Sequence, residues 1–114
     1  MDGLEFAKAE DRGEQFVKQI NEKVGAFQLK TLGIKMESVF EEYASACSEV
    51  QSVVSKAEEY YREALKNAKE GQKSNIRGFY SKVKNCGIDA RNEMAKIAAD
   101  RAHELSRKTI VPRK

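Results

Sequence analysis

The sequence predicts an all-α fold: one domain spanning residues 1–114, built as an antiparallel bundle of three to four helices with one long central helix. Apolar residues recur at alternating spacings of three and four, which is the period of an amphipathic helix. A single proline, no tryptophan and 34% charged residues are typical of a soluble helical bundle. We therefore expect more than about 70% of the residues to be helical, against a usual one third.

Helix one is predicted from about Leu4 to Lys30. Gly13 and Gly25 each weaken a helix by about 1 kcal/mol relative to alanine, so a break near Gly13 that leaves a short leading helix remains an alternative. Gly33 indicates the turn into the next helix. The apolar stripe of helix one consists of Phe6, Ala9, Gly13, Phe16, Ile20, Val24 and Phe27.

Helix two is predicted from about Ile34 to Glu70, with Gly71 ending it, and has the longest stripe of the chain. Glu58 and Arg62 are placed to form an i,i+4 ion pair. A second apolar column widens the stripe, so we expect this helix to contact more than one neighbour and to be the spine of the bundle. The stripe is Met36, Phe40, Tyr43, Cys47, Val50, Val54, Ala57, Tyr61, Ala64 and Ala68, and the second column is Val39, Ala46, Val53 and Tyr60.

Two shorter helices are predicted to follow. The polar segment 71–78 supplies Ser74 or Asn75 as an N-cap for helix three, and Gly87 is expected to end that helix in a left-handed conformation. Asp89 is the predicted cap of helix four. The inner face of helix three is Ile76, Phe79, Val83 and Cys86, and that of helix four is Ala90, Met94, Ile97 or Ala98, Ala102 and Leu105.

The two cysteines, Cys47 and Cys86, both lie on apolar stripes. A buried pair of free thiols is one interpretation, and an intramolecular disulfide is the one we favour, with the oxidising compartment that it implies. Straight helices would place Cys47 about 36 Å and Cys86 about 22 Å from the turn that joins them. Because paired cysteines need Cα atoms within about 7 Å, the disulfide requires segment 71–78 to be partly extended, or helix two to end early.

No set of residues in the sequence is typical of catalysis. His103 has a carboxylate at hydrogen-bonding spacing in Asp100, but no nucleophile accompanies them. Neither a zinc-ligand pattern, nor Glu-x-x-His, nor a phosphate-binding glycine loop occurs. We expect no enzyme activity, no cofactor and no metal.

The chain lacks an apolar run near the roughly 18–20 residues of a membrane span, and its first residues do not resemble a signal peptide. It is therefore expected to be either a cytosolic protein or a mature secreted chain with an added initiator methionine. The last residues, from about 109 and including Pro112, are expected to form a loose tail.

The net charge of +3 is unevenly distributed, since residues 71–114 hold eleven bases and four acids. Acidic and basic helices lying side by side would explain this, and so would a basic surface for an acidic partner. Nucleic acid is disfavoured because acids alternate with the bases. The candidate partner-binding residues are Lys84, Arg91, Arg101, Arg107 and Lys108.

Two binding functions therefore remain open. The first is an interaction protein whose rigid helices present a surface to another protein. The second is a lipid carrier of the exchangeable apolipoprotein type, whose amphipathic helices open around acyl chains.

The cysteine contexts Tyr43-Ala-Ser-Ala-Cys47-Ser-Glu-Val and Lys84-Asn-Cys86-Gly-Ile-Asp-Ala-Arg, in a small basic helical chain, resemble the salivary proteins of anopheline mosquitoes typified by albicin and anophensin. The resemblance implies a protein secreted in saliva that binds the host's alternative-pathway complement convertase and inhibits it. It also implies that Cys47 and Cys86 are bonded and that Met1 is an addition to the mature chain. It assigns no functional residue.

Overall fold

The computed structural model describes residues 2–109, without the side chains of Lys108 and Thr109. It contains three helices, α1 (Gly3–Thr31), α2 (Met36–Asn67) and α3 (Glu70–Thr109), and each packs against the other two. Helices make up 93% of the described residues, and no strand occurs among them. The antiparallel bundle is a rod of 72 × 18 × 16 Å. The all-α fold is therefore confirmed, with three helices. Thr109, where the loose tail was predicted to begin, is the last residue of α3, and the rest of the predicted tail lies outside the described part of the chain.

Helix α1 is continuous through Gly13, so the alternative of a short leading helix is not what the chain adopts. The helix begins at an N-cap, where the Asp2 carboxylate accepts a hydrogen bond from the Glu5 amide at 2.8 Å. The turn after it contains Gly33 as expected, and the Gly33 amide donates to the Lys30 carbonyl at 3.4 Å. The predicted stripe is buried except for Phe6, which is half-buried.

Helix α2 contacts both α1 and α3, which confirms that its wide stripe serves two neighbours. Its start is different from the prediction, because Met36 and Phe40 are 37% and 59% exposed. It ends at Asn67, before Gly71, and it is shorter than the 40-residue α3, so α2 is not the longest element. Its buried residues are Val39, Ala46, Val50, Val53, Val54, Ala57, Tyr61 and Ala64.

The two predicted C-terminal helices are one helix, α3. Gly87 does not end a helix: it is buried in mid-helix, where an added Cβ would lie 2.6 Å from Val54 Cγ2. Its missing side chain lets α2 and α3 approach closely. The apolar stripe also runs on without a break, because Ile76, Val83 and Ala90 are buried at a seven-residue spacing.

The polar segment 71–78 is likewise helical, since α3 begins at Glu70. Ser74 and Asn75 are therefore not N-caps, and Asp89 lies in mid-helix and not at a helix start. In the short connection between α2 and α3, the Lys69 amide donates to Gln72 Oε1 at 3.1 Å. That side-chain contact stabilises the start of α3 at Glu70, which comes before the start at Ser74 or Asn75 that the sequence predicted.

Aromatic rings fill the centre of the rod around Tyr61. Tyr61 lies edge-on to Phe16 and to Tyr60, with ring centroids 6.3 and 5.0 Å apart. Its buried hydroxyl donates to the Ala9 carbonyl at 2.7 Å and so joins α2 to α1. The core also closes over the site of Gly13, where an added Cβ would lie 2.7 Å from the Tyr61 hydroxyl oxygen.

Candidate binding surfaces

Large apolar side chains are exposed where α1 turns into α2. We call this surface the apolar end, and its residues Leu29, Leu32, Met36 and Phe40 are 72%, 63%, 37% and 59% exposed. Val39 between the last two is fully buried. Because successive helical residues point about 100° apart, the packing that buries Val39 leaves the adjacent Phe40 facing outward. The sequence stripe therefore predicted two core residues that the bundle presents to solvent.

Arg101, a predicted partner-binding residue, is used within the fold. Its Nε donates to the Thr31 carbonyl at 2.8 Å and its Nη2 to the Leu32 carbonyl at 2.9 Å. Its Nη1 pairs with Glu104 at 3.0 Å, and its side chain is only 15% exposed. A cation that binds the last carbonyls of a helix satisfies them and complements the helix dipole. Arg101 therefore caps α1 from α3 and is not available as a free partner contact.

The other predicted basic residues do not form one surface. Lys84 and Arg107 are exposed, and their separation of 23 positions corresponds to about 34 Å along α3. Arg91 is half-buried. A hydrogen bond with Cys47 is the main cause that raises the pKa of Tyr43, and the nearby charge of Arg91 opposes this rise. The side chain of Lys108 lies outside the described part of the structure.

The structure does not support the expected disulfide, since Cys47 and Cys86 are both free thiols. Cys86 lies between α1 and α3, with its Sγ 3.7 Å from Asn21 Oδ1. The adjacent Gly87 contacts Val54, which is two turns, or about 10 Å, along α2 from Cys47. Of the two arrangements that would permit the disulfide, an extended segment 71–78 is absent because that segment is helical, and the early end of α2 at Asn67 occurs but leaves both thiols free. Burial, and to a lesser degree the charge of Asp89, raise the pKa of the Cys86 thiol.

A groove of about 560 Å³ runs between α1 and α3. Its floor is small or apolar and includes Gly13, Val17, Phe79 and Ala90. Its rims carry carboxylates on both helices, and we call it the acidic groove. The rim residues are Glu10 and Glu14 on α1 and Asp89 and Glu93 on α3.

A second groove, of about 360 Å³, lies between α1 and α2. Two ion pairs cross it: Lys30 to Glu42 at 3.1 Å and Lys23 to Glu49 at 3.9 Å. Its charges are therefore satisfied by the fold, in contrast to those of the acidic groove. The predicted Glu58–Arg62 pair elsewhere on α2 is confirmed at 2.9 Å.

Within residues 2–109, no group of three or more His, Cys, Asp or Glu side chains is placed to hold a metal ion. None of the three helices described is apolar enough to cross a membrane. His103 is exposed on α3. No family model matches the chain, and none of the curated proteins or solved structures compared with it is significantly similar. These comparisons add no link to the salivary family.

Proposed function

We propose that this protein acts by binding another protein, and that the apolar end is its contact surface. The observation that carries the proposal is the grouping of Leu29, Leu32, Met36 and Phe40, all exposed within 12 residues of chain. Exposed apolar side chains that lie together mark protein-binding sites far more often than single ones do. An apolar centre with a polar rim is also the usual composition of a protein–protein interface.

The partner that we propose is the alternative-pathway complement convertase of a host, and the resemblance to anopheline salivary proteins supports this choice. The protein would then be secreted and would inhibit the convertase by occupying its surface, with no catalytic group or cofactor needed. Lys35 is an exposed base in the α1–α2 turn, and Arg107 is an exposed base six residues, or about 9 Å, along α3 from Arg101, which binds that turn. They favour a partner surface that combines apolar contacts with acidic residues.

Lipid carriage is the alternative, and the core of the bundle argues against it. Opening the helices around acyl chains would break the buried bond from Tyr61 to the Ala9 carbonyl. It would also separate rings that pack across helices, such as Phe27 and Tyr43 at 6.2 Å. These contacts favour a bundle that keeps its closed form when it binds.

Haemolysis assays that report the alternative and the classical pathway separately test the proposal. The protein is expected to inhibit the first and to leave the second unchanged. Leu32→Ser combined with Phe40→Ser should weaken inhibition by at least about tenfold, because truncated anchors commonly cost more than 1–2 kcal/mol. The matched control is Leu4→Ser, since Leu4 is 67% exposed at the opposite end of α1.

Equal inhibition by the double variant would show that the apolar end is not the contact surface. Absence of inhibition would refute the complement partner. Tight binding to phosphatidylcholine vesicles in that case would favour the lipid carrier.

A further inference from the structure

We propose that the acidic groove between α1 and α3 docks a basic amphipathic helix of a partner protein. This site is separate from the apolar end, because its α1 residues stop at Asn21, about 12 Å along the helix from Leu29. The proposal therefore does not depend on the proposed function.

The floor of the groove suits the apolar face of a helix. Val17 and Phe79 are only half-buried by the fold, so each keeps apolar surface to offer. Gly13 and Ala90 also line the floor but are buried, and the Tyr61 hydroxyl occupies the space beside Gly13, so Val17 and Phe79 supply the apolar surface that a ligand can reach. Helix-in-groove binding uses such an arrangement, in which apolar anchors of the ligand enter a hydrophobic channel.

The rims select the charge of the ligand. All four rim carboxylates are exposed, and none forms an ion pair with a side chain in the described part of the chain. Lys82 is the only base among the lining residues. This local excess of negative charge occurs in a chain whose net charge is +3. Lysine and arginine side chains on both flanks of a ligand helix would complement it.

The dimensions favour a helix of about three to four turns. The groove spans residues 10–21 of α1 and 79–93 of α3, or roughly 17–21 Å at 1.5 Å per residue. It is open along its length and bounded by two parallel helices, since Phe6 at the start of α1 contacts Phe79 and Thr31 at its end contacts Arg101, so an added helix would complete a four-helix arrangement. A partner helix with apolar residues on one face and bases on both sides of that face matches these features of the acidic groove.

A leucine–lysine amphipathic peptide of about 14 residues, long enough to span the groove, is the probe. Fluorescence anisotropy at low salt should detect its binding, and the same peptide with glutamate in place of lysine should not bind. Charge reversal by Glu14→Lys with Asp89→Lys should weaken binding at least about tenfold. The matched control, Glu41→Lys with Glu59→Lys, makes the same charge change at exposed positions of α2 and should alter affinity less than about twofold.

Cys86 supplies a second readout that locates the peptide. Its side chain lines the groove, whereas Cys47 does not, and both are half-buried free thiols. Bound peptide should slow alkylation of Cys86 and leave the rate at Cys47 unchanged. The comparison within one molecule separates local protection from general stabilisation.

Three outcomes would overturn the proposal: no binding below about 1 mM peptide, equal loss of binding in the two double variants, or binding without protection of Cys86. A dimer that forms without peptide and is abolished by the Glu14 and Asp89 reversals would replace the partner helix with a second copy of this chain. None of these outcomes bears on complement inhibition, so the two proposals fail separately.

Discussion

At the residue scale, the meeting of α1 and α2 depends on the absence of a side chain at Gly13. The Tyr61 hydroxyl occupies the space that a Cβ would fill and donates to the Ala9 carbonyl. The sequence correctly placed Tyr61 and Gly13 on inward stripes, but periodicity cannot show that one fits against the other. From the sequence, Gly13 was interpreted only as a residue that weakens a helix, whereas the close approach of the Tyr61 hydroxyl requires glycine at this position.

Gly13→Ala should therefore lower the free energy of unfolding by about 1–3 kcal/mol, because the new methyl group displaces the Tyr61 hydroxyl. The control is Gly25→Ala, also within α1 but with open space around its Cβ position, which should stabilise by about 0.5–1 kcal/mol. Urea denaturation measures both. In a Tyr61→Phe background the cost of Gly13→Ala should shrink, and an unchanged cost would contradict this contact.

Stability should also fall in alkaline solution because of Tyr61. Burial raises the pKa of its hydroxyl above the ordinary value of 10.0, so the folded chain keeps a proton that the unfolded chain releases. The contribution of Tyr61 to the free energy of unfolding is then constant below about pH 10 and decreases above it. Urea titrations between pH 8 and 11 measure the slope, which Tyr61→Phe should reduce. An identical slope in the variant would show that another group is responsible.

At the element scale, three- and four-residue spacing predicted helical structure and most of the inner faces, but it divided α3 into two helices and placed Met36 and Phe40 in the core. Gly87 is the clearest case, since glycine after an apolar stripe is typical both of a helix stop and of a close helix contact. The seven-residue repeat of Ile76, Val83 and Ala90 was the available signal that α3 continues. The exposure of Phe40 could not be predicted, because it depends on where α1 and α3 cross α2.

Arg101 on α3 caps the end of α1, so removal of its side chain should destabilise the packing of both helices. Arg101→Ala removes hydrogen bonds to the Thr31 and Leu32 carbonyls and should lower the free energy of unfolding by about 1–3 kcal/mol. Arg101→Lys should recover only part of this, because an ammonium cannot reproduce the planar fork. Arg107→Ala, at an exposed position of the same helix, should stay within about 0.5 kcal/mol of the parent protein. Equal effects at the two arginines would contradict the cap.

At the scale of the whole molecule, the acidic groove arises from residues far apart in sequence, whereas the apolar end lies within 12 residues of chain. The acidic groove joins Glu14 to Asp89 across 75 positions, so the sequence showed its charges but not their convergence. The sequence likewise showed the bases of α3 but not their surroundings, since Arg101 binds two carbonyls at the α1–α2 turn that only the fold brings near. What composition predicted correctly was an all-helical chain without a membrane-spanning run among its described helices.

Small-angle X-ray scattering tests the central claim, that three uninterrupted helices form one long rod. The bundle has a Cα radius of gyration of 18.8 Å and a length of 72 Å, whereas a compact globular domain of this size would give about 13 Å. Scattering from the monomer, with its mass checked by light scattering, should give a radius of gyration near 19 Å and an elongated distance distribution. A value near 13 Å would mean that α3 breaks and folds back at Gly87, and it would contradict the rod and both surfaces on it.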